Sequence, residues 1–389
     1  VNGPLTARPL LSSRLRGTGT SVFAEMSALA AETGAINLGQ GFPDTDGPAP
    51  VAEAAARAIR DGRGNQYPPA RGVPELRRAV SHHQKRFYGL SYDPDTEVLI
   101  TTGATEAIAA TMLALLEPGD EVITFEPFYD SYAACIAMAG AVRVPLTLHA
   151  PDFRPDLEAL RAAVTPRTRL LLLNSPHNPT GMVLNREELT SIARLAVERD
   201  LLIVTDEVYE HLALDTEHLP LASFPGMRER TVSISSAGKT FSFTGWKVGW
   251  VTAPPEHVTA VLTAKQYLTF AGGGPFQFAV AEALDLPDGY YTALRTDHRR
   301  RRDLLCDGLS ATGFEVFRPE GTYFVTTDAA RLGAVDGRAF CRELARRRGV
   351  VGVPNQAFYD DPDAGRTQVR FAFCKQASVL EEAVARLRA

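Results

Sequence analysis

LLIVTDEVYEH, residues 201–211, is an unbroken apolar and β-branched run that closes on a carboxylate. This is the pattern of a buried parallel strand, covered on both faces, whose C-terminal end delivers the next polar side chains, here Asp206 and then Tyr209, to the sheet edge. Upstream, LLLLNSPHNPTG (170–181) repeats the design, a strand followed by a Pro- and Asn-rich turn that carries Asn178. Downstream, SSAGKTFSFTGWKVGW (235–250) sets Lys239 in a small, hydroxyl-rich run, with Ser236 three residues before it and Lys247 eight after. From about Val51 to Leu286 apolar runs alternate with helical periodicity, which predicts an α/β domain with a mostly parallel sheet flanked by helices.

A lysine that must condense with an aldehyde needs a cramped, partly desolvated seat, and a hydroxyl and a second cation nearby suit a phosphate. Lys239, Ser236 and Lys247 meet those needs. The phosphate-loop alternative fails because no glycine stands five residues before Gly238. A carboxylate at Asp206 could keep a pyridine nitrogen protonated, and Tyr209 could donate to the ring hydroxyl. EVLITTGATEAIAATMLALLEPGDEVITF (97–125) reads as one strand-helix-strand unit, with Gly103, Ala104 and Thr105 opening the helix, where free amides and the positive dipole end favour a phosphate. Together these groups describe a pyridoxal 5'-phosphate site. Taken singly, Asp206 also reads as a helix cap, Asn178 as a turn-former and Gly103 as a tight-turn residue.

Asn-Pro-x-Gly, then Asp-x-x-Tyr, then Ser-x-x-Lys with a lysine eight later resembles the fold type I, class I/II aminotransferases. The likeness runs from NLGQGFPD (37–44) through NQYPPARGVPELR (65–77) to VRFAFCK (369–375). Within that family the chain is similar to the kynurenine aminotransferase, glutamine transaminase K and methionine aminotransferase group and to actinobacterial N-succinyldiaminopimelate aminotransferase-like enzymes. The resemblance implies a homodimer with shared sites, in which Tyr67 reaches the phosphate of the neighbouring subunit. It also implies phosphate contacts from the backbone of Ala104 and Thr105, and Phe128, in EPFYDSY (126–132), flat against the pyridine ring. Asn178 and Tyr209 would hold the ring hydroxyl oxygen, and Lys239 would be the Schiff-base lysine that moves the donor's Cα proton. Arg370 would bind the α-carboxylate through its fork, Gly39 would offer backbone contact to the same group, and Phe23 would line the side-chain pocket.

Two departures bear on substrate. Phe23 stands where tryptophan is common in the family, and Gly272 to Gly274 replace bulkier residues in a loop that the family's partner subunit contributes. Both leave more room. The expectation is an uncharged, long or aromatic donor such as glutamine, methionine, phenylalanine or kynurenine, transferring its amino group to a 2-oxo acid in a ping-pong cycle. N-succinyldiaminopimelate and arginine-derived amino acids of specialised metabolism stay open, with Lys265 and Arg71 as candidates for a distal carboxylate. Another reaction on the same cofactor, such as C–S β-elimination, would use the same Lys239 and Asp206. A cofactor-sensing transcription regulator is not the expectation, since it would need a basic DNA-binding module and about 20 residues precede the family-like region.

Bulk properties agree. At 389 residues the chain exceeds the size of one core, and the expected division is an arm (1–20), a cofactor domain (46–289), and a smaller α+β domain from residues 21–45 and 290–389. A net charge of −5 argues against nucleic acid as a partner. No stretch has the length and apolarity of a membrane span. Four scattered cysteines without a Cys-x-x-Cys pair argue against zinc and against a disulfide framework, no metal is expected, and a reducing cytoplasm fits. Arg299 to Arg302 read as a solvated helix face, and His82-His83 as a solvated helix pair.

Overall fold

The computed structural model describes residues 10–16, 22–361 and 363–388, so most of the expected arm lies outside the described residues. The large sheet takes strands β2 (Val98–Thr101), β3 (Glu121–Glu126), β4 (Val142–Thr147), β5 (Thr168–Asn174), β6 (Leu202–Asp206), β7 (Thr231–Ser236) and β8 (Gly249–Thr252), after a short β1 (Ile36–Asn37) outside it. Their order is β2-β8-β7-β6-β5-β3-β4, and β8 alone runs antiparallel to its neighbours.

The unbroken apolar runs are explained by burial on both faces. Leu170 and Leu172 pack on one side with Val204, Val232 and the helix Gly103–Leu115, while Leu171 and Leu173 pack on the other with Ile203 and the helix Arg186–Glu198. A strand covered by helices on both sides has no solvent face, so no polar alternation appears in its sequence. The helix Arg186–Glu198 starts where Asn185 and Glu188 form a reciprocal capping box, which satisfies two of its free amides.

The remaining strands, β9 (Glu315–Phe317), β10 (Phe324–Asp328), β11 (Val350–Val351), β12 (Val353–Pro354) and β13 (Gln368–Ala372), form a four-stranded antiparallel sheet, β12-β13-β10-β9, and a two-stranded parallel pair, β1-β11. The N-terminal helix Val22–Thr33 buries Met26 and Leu29 in the same core as Val351, Val369 and Phe371. The smaller α+β unit is therefore built from both ends of the chain, and the 24-residue helix Asp288–Ala311 leads into its C-terminal part. No helix among the described residues is long and apolar enough to cross a membrane.

Two surface readings change. Arg302 is buried, paired with Asp215 and Asp303 and donating to the Pro319 carbonyl at 3.0 Å, so only part of the arginine run faces water. His83 is buried as well, its Nε2 2.7 Å from Nε2 of His211, while His82 stays exposed beside Asp285. A helix that turns one face inward separates adjacent residues by about 100°, so a His-His pair is split between core and solvent.

Candidate active site

Strands β5, β6 and β7 end side by side at one edge of the large sheet, and a cavity of about 330 Å³ opens there against β10, β13 and the loop after β1. Asp206, the last residue of β6, is buried at its wall. Its Oδ2 accepts a hydrogen bond from the Tyr132 hydroxyl at 2.6 Å and its Oδ1 one from the Val208 amide at 3.3 Å. Its backbone carbonyl is held by Asn174 Nδ2 at 2.9 Å. Burial pushes the carboxyl up to about 6, with the Tyr132 bond, the Val208 amide and the Lys239 charge pulling the other way.

Lys239 follows β7 in the four-residue helix Ala237–Thr240 and donates from Nζ to the Gly41 carbonyl at 3.3 Å. Burial brings its amine down to about 8, so far more of it is the unprotonated nucleophile near neutrality than of a lysine in water. Tyr209 is buried on the same wall, its ring edge-on to Tyr323 at 5.3 Å, and burial drives its hydroxyl well above the ordinary range.

At the other end of the cavity the helix Gly103–Leu115 points its free amides inward, flanked by Ser236 and Lys247. Gly103 has φ +75°, and a Cβ there would stand 3.2 Å from Lys247 Nζ. A Cβ on Gly249 would lie 2.7 Å from the Gly103 carbonyl carbon, so β8 presses directly on the helix start. Lys247 itself adopts φ +55°, a strained conformation for a lysine. Backbone amides, a hydroxyl and an ammonium thus surround one end of the cavity, which is what a phosphate requires.

Arg370, on β13, is buried under Phe324, whose ring centroid lies 3.9 Å from the guanidinium carbon. Nη1 donates to Asn178 Oδ1 and Nη2 to the Gly39 carbonyl, both at 2.9 Å, and buried Nε has no partner among the described residues. An orphaned guanidinium N–H on a cavity wall calls for an anionic partner. Burial lowers this group to about 10.

Most residues singled out in the sequence meet here: Phe23, Gly103, Ala104, Thr105, Asn178, Asp206, Tyr209, Ser236, Lys239, Lys247 and Arg370 all line the cavity. Three do not. Phe128 lies outside it, its ring covered by the Arg143 guanidinium at 4.0 Å and its amide bonded to the Phe358 carbonyl. The ring that lines the cavity in its place is Tyr129, one residue on. Gly39 sits behind Arg370, its own N–H given to Asn37 Oδ1 at 2.9 Å. Tyr67 is 83% exposed on the single chain, edge-on to Phe270 at 5.7 Å.

Lys265 and Arg71 also leave the site. Lys265 is buried and ties the Ala70 and Phe270 carbonyls together, and Arg71 donates to Thr96. The sequence reading passed over Tyr129, Tyr132, Asn174 and Phe324. Tyr129 and Tyr132 were detectable, since they are three apart at the opening of the helix Asp130–Met138 and so share one face. Behind the site, His83, Glu210 and His211 form a buried cluster with ligand atoms within 4.8 Å of one another, the two rings bonded to each other.

Along one cavity lie a primary amine, a buried carboxylate and an anion cradle, and that sequence of groups suits pyridoxal phosphate, with Arg370 left over for a substrate carboxylate. The chain belongs to the class I and II aminotransferases, whose family model, "Aminotransferase class I and II", matches residues 33–387. It is 54% identical to a probable N-succinyldiaminopimelate aminotransferase of Mycobacterium tuberculosis, over 96% of this chain and 97% of that one. It is 39% identical to a methionine aminotransferase of Escherichia coli, over 99% and 100% of the two chains. The solved structure of an N-succinyldiaminopimelate aminotransferase from Mycobacterium tuberculosis superposes with a TM-score of 0.95 at 54% identity, covering 97% of this chain and 99% of that one. The protein is a pyridoxal phosphate-dependent aminotransferase of fold type I.

Proposed function

We propose that this enzyme moves the amino group of an L-amino acid with an uncharged, long or aromatic side chain to a 2-oxo acid, by a ping-pong cycle in which one pocket takes both substrates in turn. The observation that carries the substrate class is the inventory of cations on the cavity wall: among the described residues they are Lys239, Lys247 and Arg370. With Lys239 at the cofactor carbonyl, Lys247 at the phosphate and Arg370 at the α-carboxylate, none remains for a distal carboxylate. The rest of the substrate wall is Phe23, Gln40, Phe42 and Phe324.

Bound pyridoxal phosphate supplies the electron sink that makes the donor's Cα proton removable. Asp206 would pair with the ring nitrogen, and Tyr209 and Asn178 would hold the ring hydroxyl oxygen. Ser236, Lys247 and the amides of Ala104 and Thr105, all on the cavity wall, would hold the phosphate end. Arg370 orients the donor through its carboxylate, with Asn178 and Gly39 fixing the guanidinium plane. Lys239 Nζ would be the group that moves the donor's Cα proton, a role that suits a buried amine brought down to about 8.

Two subunits are part of this reading. Tyr67, Tyr267 and Phe270 are large aromatic side chains left exposed on the single chain, which fits a site completed across a homodimer. Four buried free thiols fit a reducing compartment such as the cytoplasm. The division into domains at residues 45–46 and 289–290 belongs to the same proposal.

An N-succinylated donor is the second reading, favoured by a groove of about 860 Å³ lined by Arg14, Arg16, Arg143 and Arg338 together with Asp130 and Asp360, of which Asp360 pairs with Arg143. Phe358 of that groove packs against Phe23 of the cavity, the ring centroids 5.7 Å apart and the planes tilted by 33°. A donor panel with 2-oxoglutarate decides between them. Highest kcat/KM for glutamine, methionine, phenylalanine or kynurenine supports the first reading, and highest kcat/KM for N-succinyldiaminopimelate replaces it. Pyruvate and ammonia as the main products would indicate β-elimination instead.

A further inference from the structure

We propose that Tyr132 is a positioning residue for the cofactor, holding the Asp206 carboxylate ionised and aimed so that it can pair with the protonated ring nitrogen. The inference rests on the reading of Asp206 given above. Tyr132 is buried in the helix Asp130–Met138, and its hydroxyl donates to Asp206 Oδ2 at 2.6 Å. That is the one side-chain hydrogen bond to this carboxylate among the described residues, and the Val208 amide, at 3.3 Å to Oδ1, is a longer one. Asn174 Nδ2 and the Ser175 amide fix the backbone carbonyl of Asp206, not its carboxylate.

The electrostatic surroundings give that single bond its weight. Asp206 is buried, and burial disfavours its charge. Lys239 faces it from the helix after β7 and favours the charge, while Glu207 beside it disfavours it. Tyr129 and Tyr209 face it as neutral hydroxyls whose ionisation it suppresses. A carboxylate deprived of its strongest donor in such a setting stays protonated to higher pH. A protonated Asp206 offers a pyridinium nothing to pair with. The Tyr132 ring meanwhile keeps its edge-on contact with Tyr129 at 5.6 Å whether or not it carries a hydroxyl, so Tyr132→Phe isolates the hydrogen bond from the packing.

The test is the affinity of the full-length, cofactor-stripped chain for pyridoxal phosphate, measured by fluorescence quenching between pH 6.5 and 8.5. It is made on the unaltered chain, on Tyr132→Phe and Asp206→Asn, and on the double variant. Loss of a hydrogen bond to a buried charge predicts a drop of about tenfold for Tyr132→Phe at pH 6.5, shrinking as pH rises and Asp206 ionises unaided. In the Asp206→Asn background the same change should do nothing further. Equal affinities and pH dependence for Tyr132→Phe and the unaltered chain, with Asp206→Asn weakened, would overturn the role of Tyr132 alone. Full affinity in Asp206→Asn would instead overturn the reading of Asp206. A Tyr132→Phe loss that persists in the Asn background would mark Tyr132 as a packing residue and also overturn the proposal.

Discussion

On the cofactor side of the cavity, Asp206, Ser236 and Lys239 stand at or just past the ends of buried parallel strands, each delivered by the segment that immediately precedes it. On the substrate side, Phe23, Gln40 and Arg370 come from separate segments joined by long-range bonds. Arg370 reaches the Gly39 carbonyl across 331 positions of sequence, and the Gly41 carbonyl collects both Lys239 Nζ and the Tyr323 hydroxyl. The first wall is fixed by the sheet itself. The second depends on how the N-terminal segment and the small antiparallel sheet close together, so donor preference can change there while the chemistry on the other wall is kept.

The sharpest way to break this contrast is at Lys239. Lys239→Ala should lower the turnover number by more than about 10⁴-fold while the protein still binds cofactor, because it removes both the nucleophile and the proton carrier and leaves the phosphate cradle intact. Multiple-turnover transamination by that variant, followed as 2-oxo acid release, would contradict the assignment. On the opposite wall, Arg370→Lys loses the planar fork, and KM for the donor should rise about 10- to 100-fold with cofactor affinity unchanged. A fall in cofactor affinity of similar size would show that the two walls are not separable.

Gly249→Ala tests the cradle. Its Cβ would meet the backbone of Gly103 and Ala104 at 2.7 and 2.9 Å, so the helix start must move, with an expected loss of about 1–3 kcal/mol in stability and weaker cofactor binding. Thermal unfolding and titration of the stripped protein read the two effects. The pH behaviour of Lys239 is a milder test. The neutral amine is the form that captures an aldehyde, and burial lowers it from 10.5 to about 8, so the capture rate of the stripped protein should climb with pH and level off above about 8. Levelling only near 10.5 would place the lysine in water. Smallest of all, Phe23→Trp should shift kcat/KM between aromatic and aliphatic donors by a few-fold only, since it changes pocket volume without touching charge.

The same contrast explains what could be read from the sequence. β5 and β6 announce themselves because burial on both faces leaves unbroken Leu and Val runs, and the residues at their ends follow directly. Tyr129 in place of Phe128 is an error of phase: the helix begins at Asp130, and that starting point decides which ring of the motif faces the cavity. His83 and Arg302 were misjudged because their partners, His211 and Asp215, lie far away in sequence and only the fold brings them near. Lys265 failed as a substrate cation for a similar reason, since the carbonyls of Ala70 and Phe270 already claim its ammonium. Arg370 came from family resemblance, because an arginine on a strand reveals nothing of a partner 331 residues away, and the resemblance gave Gly39 a contact to the carboxylate rather than the bond its carbonyl accepts from Arg370.

The most direct measurement is a single half-reaction. The cofactor-loaded enzyme is mixed with one amino acid at a time in the absence of any acceptor, and the visible absorbance and the 2-oxo acid released are followed together. Transamination through Lys239 predicts loss of the absorbance with 2-oxo acid formed in proportion to sites, and return of the absorbance when 2-oxoglutarate is added. Continuous release of ammonia without acceptor, or an absorbance that no 2-oxo acid restores, would show that the cavity performs a different reaction.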